Sequence, residues 1–262
     1  MTFKERLFPS PGLRVLITGG ASGIGAAIAS AFIETDAKVH VCDIDNSTLA
    51  VFNERFPGCH TTTADVANEK QVAFAMEVQD RTFGGLDVLV NCAGIAGPTA
   101  GIDQIEEQDW LRTIDVNLNG QFHFLHRAVP MLRQSNDASI ICISSVAGRL
   151  GLTSRTPYVA TKWAIVGIVK SLAIELGPLD IRVNGLLPGI VEGPRMDGVI
   201  RARARLEGVQ EESMREQYLK RISLRRMVTA DDVALMCLFL CSAGGRNISG
   251  QAISVDGNVE YL

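Results

Sequence analysis

Short runs rich in Val and Ile alternate with longer helical patterns almost from end to end of this 262-residue chain, and no other feature limits its fold as strongly. Such alternation is the signature of parallel βαβ units, because a strand that returns parallel to its neighbour needs a crossover, most simply a helix. We place strands at residues 14–18, 39–43, 60–63, 88–91, 139–143, 181–187 and 252–255, with helices near 23–34, 47–56, 69–83, 107–131, 158–176 and 230–240. The strands read as apolar on both faces, so helices are expected on both sides of the sheet. The expected fold is therefore α/β, a single doubly wound domain over residues 1–262 with a seven-stranded parallel sheet. An insertion at about 189–226 carries its own charged helical pattern from 199 to 220 and reads as a substrate lid, since it is too long for an ordinary connection.

Composition removes several classes. With 25 Lys and Arg against 29 Asp and Glu, the net charge of −4 lacks the basic excess of an electrostatic nucleic-acid binder. No run approaches the roughly 18 apolar residues of a membrane span. The first ten residues carry Lys4, Glu5 and Arg6 and no apolar stretch of signal-peptide length, so the expectation is a cytoplasmic protein without nucleic-acid or membrane partners. The six cysteines form no CxxC pair, and His123 and His126 read as surface or packing residues, so no metal site is expected.

The first strand runs through Thr18-Gly19-Gly20-Ala21-Ser22-Gly23-Ile24-Gly25 straight into a helix. A strand, a tight turn and a helix N-terminus together cradle a pyrophosphate with backbone N–H groups and the positive end of the helix dipole. Gly19 would permit the turn, Gly23 would let the backbone approach phosphate, Gly25 would let the helix pack closely, and Ser22 is placed to cap it. The second strand ends at Asp43, about 20 residues on, where a carboxylate accepts hydrogen bonds from an adenosine ribose. An acid there repels a 2′-phosphate, and no Lys or Arg follows before Arg55, so the expected cofactor is NAD rather than NADP.

Tyr158 and Lys162 stand at i and i+4, on one helix face. A free phenol, with a pKa near 10, is a poor proton shuttle at neutral pH; a neighbouring ammonium favours the phenolate and makes it a usable general acid/base. The other tyrosines, Tyr218 and Tyr261, have no such partner in sequence. Ser145 follows the fifth strand directly, and in a parallel sheet the carboxyl ends of the strands face one crevice. Ser145, Tyr158 and the cofactor are thus expected to converge.

With these residues in order, the chain resembles the classical short-chain dehydrogenase/reductase family over essentially its whole length. The resemblance is carried by Thr18-Gly-x-x-x-Gly23-x-Gly25, Asp65-Val66, Asn91-Cys92-Ala93-Gly94, Asn117, Ser145, Tyr158-x-x-x-Lys162, and Asn184 followed by Pro188-Gly189. It implies a Rossmann fold and a catalytic tetrad of Asn117, Ser145, Tyr158 and Lys162, with Ser145 and Tyr158 on the substrate oxygen, Tyr158 and Lys162 at the cofactor, and Asn117 holding a water. It further implies that Asp65 and Val66 meet the adenine, that Asn91, Ala93 and Gly94 line the cofactor ribose, that Pro188, Gly189 and Val191 flank the nicotinamide, and that the protein is a homotetramer. The chain departs from the family at Cys92, at Thr161, and at Gly193 after Glu192, where Asn, Ser and Thr are common.

The implied reaction is hydride transfer between a small secondary alcohol, or its ketone, and nicotinamide; reduction of a 3-oxoacyl thioester and non-catalytic NAD sensing are the alternatives. Substrate contacts are expected from Ser145, Tyr158, Arg149, Glu192 and Arg195. Residues 195–226 hold nine basic and five acidic side chains, a basic insertion on an acidic body. That charge reads first as a solvated face with pairs such as Glu211–Arg215, and second as a site for an anionic substrate group.

Overall fold

The computed structural model describes residues 2, 3 and 5–260; Lys4 and Tyr261 lie outside the described residues. Seven strands, β1 (Arg14–Thr18), β2 (Lys38–Asp43), β3 (His60–Thr63), β4 (Val88–Asn91), β5 (Ser139–Ile143), β6 (Arg182–Pro188) and β7 (Ala252–Val255), form one sheet in the order β3-β2-β1-β4-β5-β6-β7. Every pairing is parallel. The chain winds outward from β1 to β3, returns to place β4 beside β1, and winds out the other way. That reversal is the switch point at which open α/β sheets bind ligands.

Seven helical segments make the crossovers and covers: α1 (Gly23–Ile33), α2 (Asn46–Arg55), α3 (Glu69–Phe83), α4 (Glu107–Ile114), α5 (Gly120–Leu132), α6 (Thr156–Leu176) and, after the insertion, α9 (Ala230–Leu240). Local chemistry sets several of their ends. Asp45 and Asn68 accept first-turn N–H groups of α2 and α3, and Thr229 with Asp232 closes a reciprocal capping box on α9. Because side chains alternate across a strand, Val15 and Ile17 enter the core beneath α1, α2 and α9, while Leu16 between them enters the core beneath α3, α5 and α6. Beneath the second face His40, fully buried, meets Gln79 at 3.1 Å and Thr62 at 2.9 Å.

The helix expected at 107–131 is interrupted. Residues 115–119 form a single π turn between α4 and α5, the widened geometry that admits an extra residue into a helix. At its centre Asn117 reaches off the helix: its Oδ1 accepts the Ile95 N–H at 2.7 Å and its Nδ2 donates to the Ile95 carbonyl at 3.0 Å.

The insertion contains α7 (Pro194–Glu207) and α8 (Glu211–Lys220), joined through Gly208 in the left-handed region. The expected Glu211–Arg215 pair does not form. Glu211 instead meets Arg201 across the two helices, and Arg215 meets Asp197, so the charges tie α7 to α8. Ile200, Met214, Tyr218 and Ile222 bury a small core of their own with Ile190 and Val259. The roots of the insertion are held side by side by a parallel bridge between Val191 and Val228, and its end is held by an antiparallel bridge between Ile222 and Val259. Among the described residues no helix is long and apolar enough to cross a membrane, and no three His, Cys, Asp or Glu side chains cluster to hold a metal.

Candidate active site

The carboxyl ends of the central strands open onto one cavity of about 520 Å³, which runs from the glycine turn to the insertion. Gly19 adopts φ +61°, and a Cβ there would stand 2.8 Å from the Ala93 Cα; a Cβ on Gly25 would stand 2.1 Å from the Gly19 carbonyl oxygen. Both glycines are thus required by close backbone approach, and at Gly25 that approach is between helix and strand end. Gly23, at φ +52°, differs, because a Cβ there would meet nothing within 4 Å. It faces the open cavity, where the first N–H groups of α1 lack helical acceptors. Ser22 holds the N-cap position with extended backbone, but its hydroxyl makes no cap bond, contrary to expectation. It lines the cavity with Ile24. Thr18 fixes the neighbouring strand end, its hydroxyl oxygen accepting the N–H groups of Cys92 and Ala93 at 3.0 and 3.1 Å.

Asp43 also lines this end. Its carboxylate accepts the N–H groups of Ala21 and Asp45, both at 3.2 Å, which aim it beside the turn, while the cap of α2 falls to Asp45. Asp65 and Val66 sit farther along the same wall, with Asp65 paired to Arg112 at 3.1 Å. Asn91 is not where the resemblance put it. Its buried side chain turns back to donate to the Gln121 carbonyl at 3.2 Å, and the cavity lining begins after it, with Cys92, Ala93 and Gly94.

Ser145, Tyr158 and Lys162 do converge on the cavity. Helix α6 is seated against the end of β5: Ser144 donates to the Lys162 carbonyl at 2.8 Å, and a Cβ on Gly148 would stand 2.7 Å from that carbonyl oxygen. The Lys162 Nζ lies 5.5 Å from the Tyr158 ring centre and donates to the Ile143 carbonyl at 3.0 Å. Burial pushes the Tyr158 phenol up, but the charges of Lys162 and Arg195, a hydrogen bond with Ser145 and the charge of Arg155 outweigh it, leaving its pKa below the ordinary 10. Burial likewise pushes the Lys162 ammonium down, against the pull of Tyr158. Asn117 lies behind this group: it is fully buried, with Nδ2 also 3.3 Å from the Thr161 hydroxyl, and it steadies Ile95 and α6 from outside the cavity wall.

On the substrate side, Glu192 and Arg195 line the cavity along with Pro188, Gly189 and Val191. Arg149, expected there, is turned away. It donates to Asp256 at 2.6 Å, to the Val259 carbonyl at 2.9 Å and to Ser254 at 3.1 Å, because the buried Asp256 carboxylate demands a counter-charge. Two residues that the sequence reading passed over stand in its place. Tyr218 enters the cavity from α8, a position no local pattern announces, and Arg155 enters from the start of α6. The i, i+3 spacing of Arg155 to Tyr158 was the one available signal for it.

Known proteins agree with this geometry. A family model described as enoyl-(acyl carrier protein) reductase matches residues 19–259. The 3-oxoacyl-(acyl-carrier-protein) reductase FabG of Thermotoga maritima is 35% identical over 248 residues, 93% of this chain and 96% of the relative. The galactitol 2-dehydrogenase of Agrobacterium fabrum is 35% identical over 245 residues, 92% and 95% of the two chains. A crystal structure of an actinorhodin polyketide ketoreductase variant with NADPH superposes with a TM-score of 0.91 at 28% identity, covering 95% of this chain and 97% of that one. Likenesses that run through nearly the whole of both partners admit one conclusion: this chain belongs to the classical short-chain dehydrogenase/reductase family, oxidoreductases that act on CH–OH groups with a nicotinamide cofactor.

Proposed function

We propose that this protein interconverts a secondary alcohol and its ketone using NAD, with Tyr158 as general acid/base. The observation that carries the reading is the convergence of Ser145, Tyr158 and Lys162, with Nζ 5.5 Å from the phenol ring centre, on a cavity that continues to the glycine turn. The residues fit a dinucleotide: Gly23 leaves open space at the N-terminus of an eleven-residue helix, and Asp43 is aimed beside it. Gly19, Ser22, Gly23, Ile24 and Gly25 would hold its pyrophosphate, Asp43 the adenosine ribose, Asp65 and Val66 the adenine. Ala93, Gly94 and Lys162 would hold the second ribose, and Pro188, Gly189 and Val191 would flank the nicotinamide.

When bound, the nicotinamide accepts a hydride from the alcohol carbon or returns one to the ketone. The chain's own task is the proton. In oxidation Tyr158 Oη takes the hydroxyl proton, in reduction it gives one back, and Ser145 donates a hydrogen bond to the substrate oxygen as its charge changes. Lys162 favours the phenolate electrostatically, and Asn117 is a positioning residue for the Ile95 wall and α6. Helices α7 and α8 serve as the lid that closes over the substrate.

Asp43 favours NAD, since a carboxylate beside the ribose repels a 2′-phosphate. The second reading, NADPH-dependent reduction of a 3-oxoacyl thioester, draws on the Thermotoga relative, and a measured NADH preference of about tenfold or more would exclude it. Exposed Leu111, Phe122 and Trp163 on α4, α5 and α6 favour a homotetramer built through that face. The decisive experiment is Tyr158→Phe assayed with a panel of secondary alcohols. Turnover should fall by about a thousandfold or more while NADH still binds by fluorescence; retained turnover would overturn the reading.

A further inference from the structure

Beyond its small share in lowering the Tyr158 pKa, one charged group in the cavity has no carboxylate to answer it. Arg155 is 6% exposed, and its guanidinium carbon lies 5.0 Å from the Tyr158 ring centre. One Nη donates to the Ala96 carbonyl at 2.7 Å, while Nε is buried with no partner. The arginines that pack into the rest of the fold differ, whether buried like Arg182, half-buried like Arg14 or exposed like Arg149. Arg14 faces Asp87, Arg149 faces Asp256 and Arg182 faces Asp137, each across an ion pair. Among the described residues no carboxylate pairs with Arg155, and the cations acting on it are Arg195 and Arg203. Arg203 is spent on Glu207 and Thr153. Arg195 projects from the first turn of α7 with no ion pair or hydrogen bond of its own among the described residues.

A buried guanidinium without a counter-anion is costly, and one N–H with no partner in the chain adds to the cost. Such an arrangement is stable in use only when the anion arrives with the ligand. The acids on the cavity wall do not fill that place. Asp43 and Asp65 are at the adenosine end, Asp65 already paired to Arg112, and Glu192 is exposed at the root of the insertion.

We propose that Arg155, assisted by Arg195, binds a carboxylate on the substrate, so that the alcohols oxidised are short-chain hydroxy acids and the ketones reduced are the matching oxo acids. The proposal rests on the alcohol–ketone reading above and specifies its substrate class. Arg155 touches the ring whose hydroxyl serves the reacting oxygen, so carboxylate and carbinol stand only a few bonds apart, as in a 2- or 3-hydroxy acid. Leu152, Met196 and Val199 add apolar side chains to the same cavity, which suits a short aliphatic remainder. The reaction balances as before: two electrons and one proton leave the carbinol carbon as hydride to NAD, one proton passes to Tyr158, and the carboxylate is unchanged.

The test compares 2-hydroxybutyrate and 3-hydroxybutyrate with uncharged 2-butanol on the full chain with NAD, in the parent and in Arg155→Met. One of the acids should exceed 2-butanol in kcat/KM by about a hundredfold, and that ratio should fall by a similar factor in the variant, mainly through KM. Arg155→Lys, which keeps the charge and shortens the reach, should restore part of the ratio, and it carries the comparison if Met is not tolerated. Independently of turnover, the preferred acid should raise the melting temperature of the parent and not that of Arg155→Met. An unchanged acid-to-alcohol ratio in the variants, or 2-butanol equalling the acids in the parent, overturns the proposal and leaves the alcohol–ketone reading intact. Acid-dependent stabilisation of the parent alone, with no alcohol oxidised, supports the carboxylate site and overturns the alcohol–ketone reading instead.

Discussion

The decisive residue is a tyrosine whose surroundings contradict its burial. Enclosure alone raises a phenol's pKa, yet Lys162, Arg195, Ser145 and Arg155 bring that of Tyr158 below 10. The phenolate is the base in oxidation, so the kcat/KM for alcohol should rise with pH and level off at an apparent pKa under 10, as a pH–rate profile will show. Removing one of those charges by Arg195→Met should move the midpoint up. Asp43 makes a second prediction at this scale. Asp43→Ser should reduce the NAD-over-NADP ratio of kcat/KM by about tenfold or more, because the repulsion of a 2′-phosphate goes with the carboxylate. Tyr158, Lys162 and Asp43 were legible in the sequence since each sits at a fixed offset from a strand end or a partner. Arg149 and Arg155 were not separable, being two arginines in one glycine- and threonine-containing stretch. Only the fold reveals that the first answers Asp256 while the second faces the cavity.

Among the elements, the join of β1 to α1 is the least forgiving. Gly25→Ala sets a methyl group against the Gly19 carbonyl oxygen, so the helix must shift. A loss of about 2 kcal/mol or more is expected in denaturant unfolding, together with weaker NADH binding. At α9, Thr229→Ala removes one half of the capping box and should cost about 1 kcal/mol. Strand positions were readable to within about one residue, since a strand buried on both sides is a nearly unbroken apolar run; β6 begins and ends one residue later than its pattern suggested. The π turn at 115–119 was not readable. The apolar spacing passes smoothly through it, and its visible reason is tertiary: Asn117 clasps the backbone of Ile95 on another segment. The Ser22 cap failed for a related reason, because the residue that suits a helix N-cap also lines a cavity.

For the whole molecule, the buried polar group beneath β2 sets an acid limit. Burial lowers the His40 pKa from 6.5 to about 4. The unfolded chain therefore takes up this proton first as pH falls; stability is undiminished above about 6.5 and declines between there and about 4, by up to about 3 kcal/mol. Urea titrations at pH 7 and pH 4.5 would measure the decline, and His40→Gln should shrink it. Assembly adds a second test at this scale: sedimentation at micromolar concentration should give a species larger than a monomer, with Trp163→Glu reducing it, since a charge on a buried apolar face opposes association. One more consequence follows from the adjoining roots of the insertion, where Val191 pairs with Val228. A segment that leaves and re-enters a scaffold at the same point can be exchanged as a cassette. Grafting residues 194–226 from a relative of different substrate preference should therefore retarget the enzyme while the sheet and its nucleotide end stay untouched.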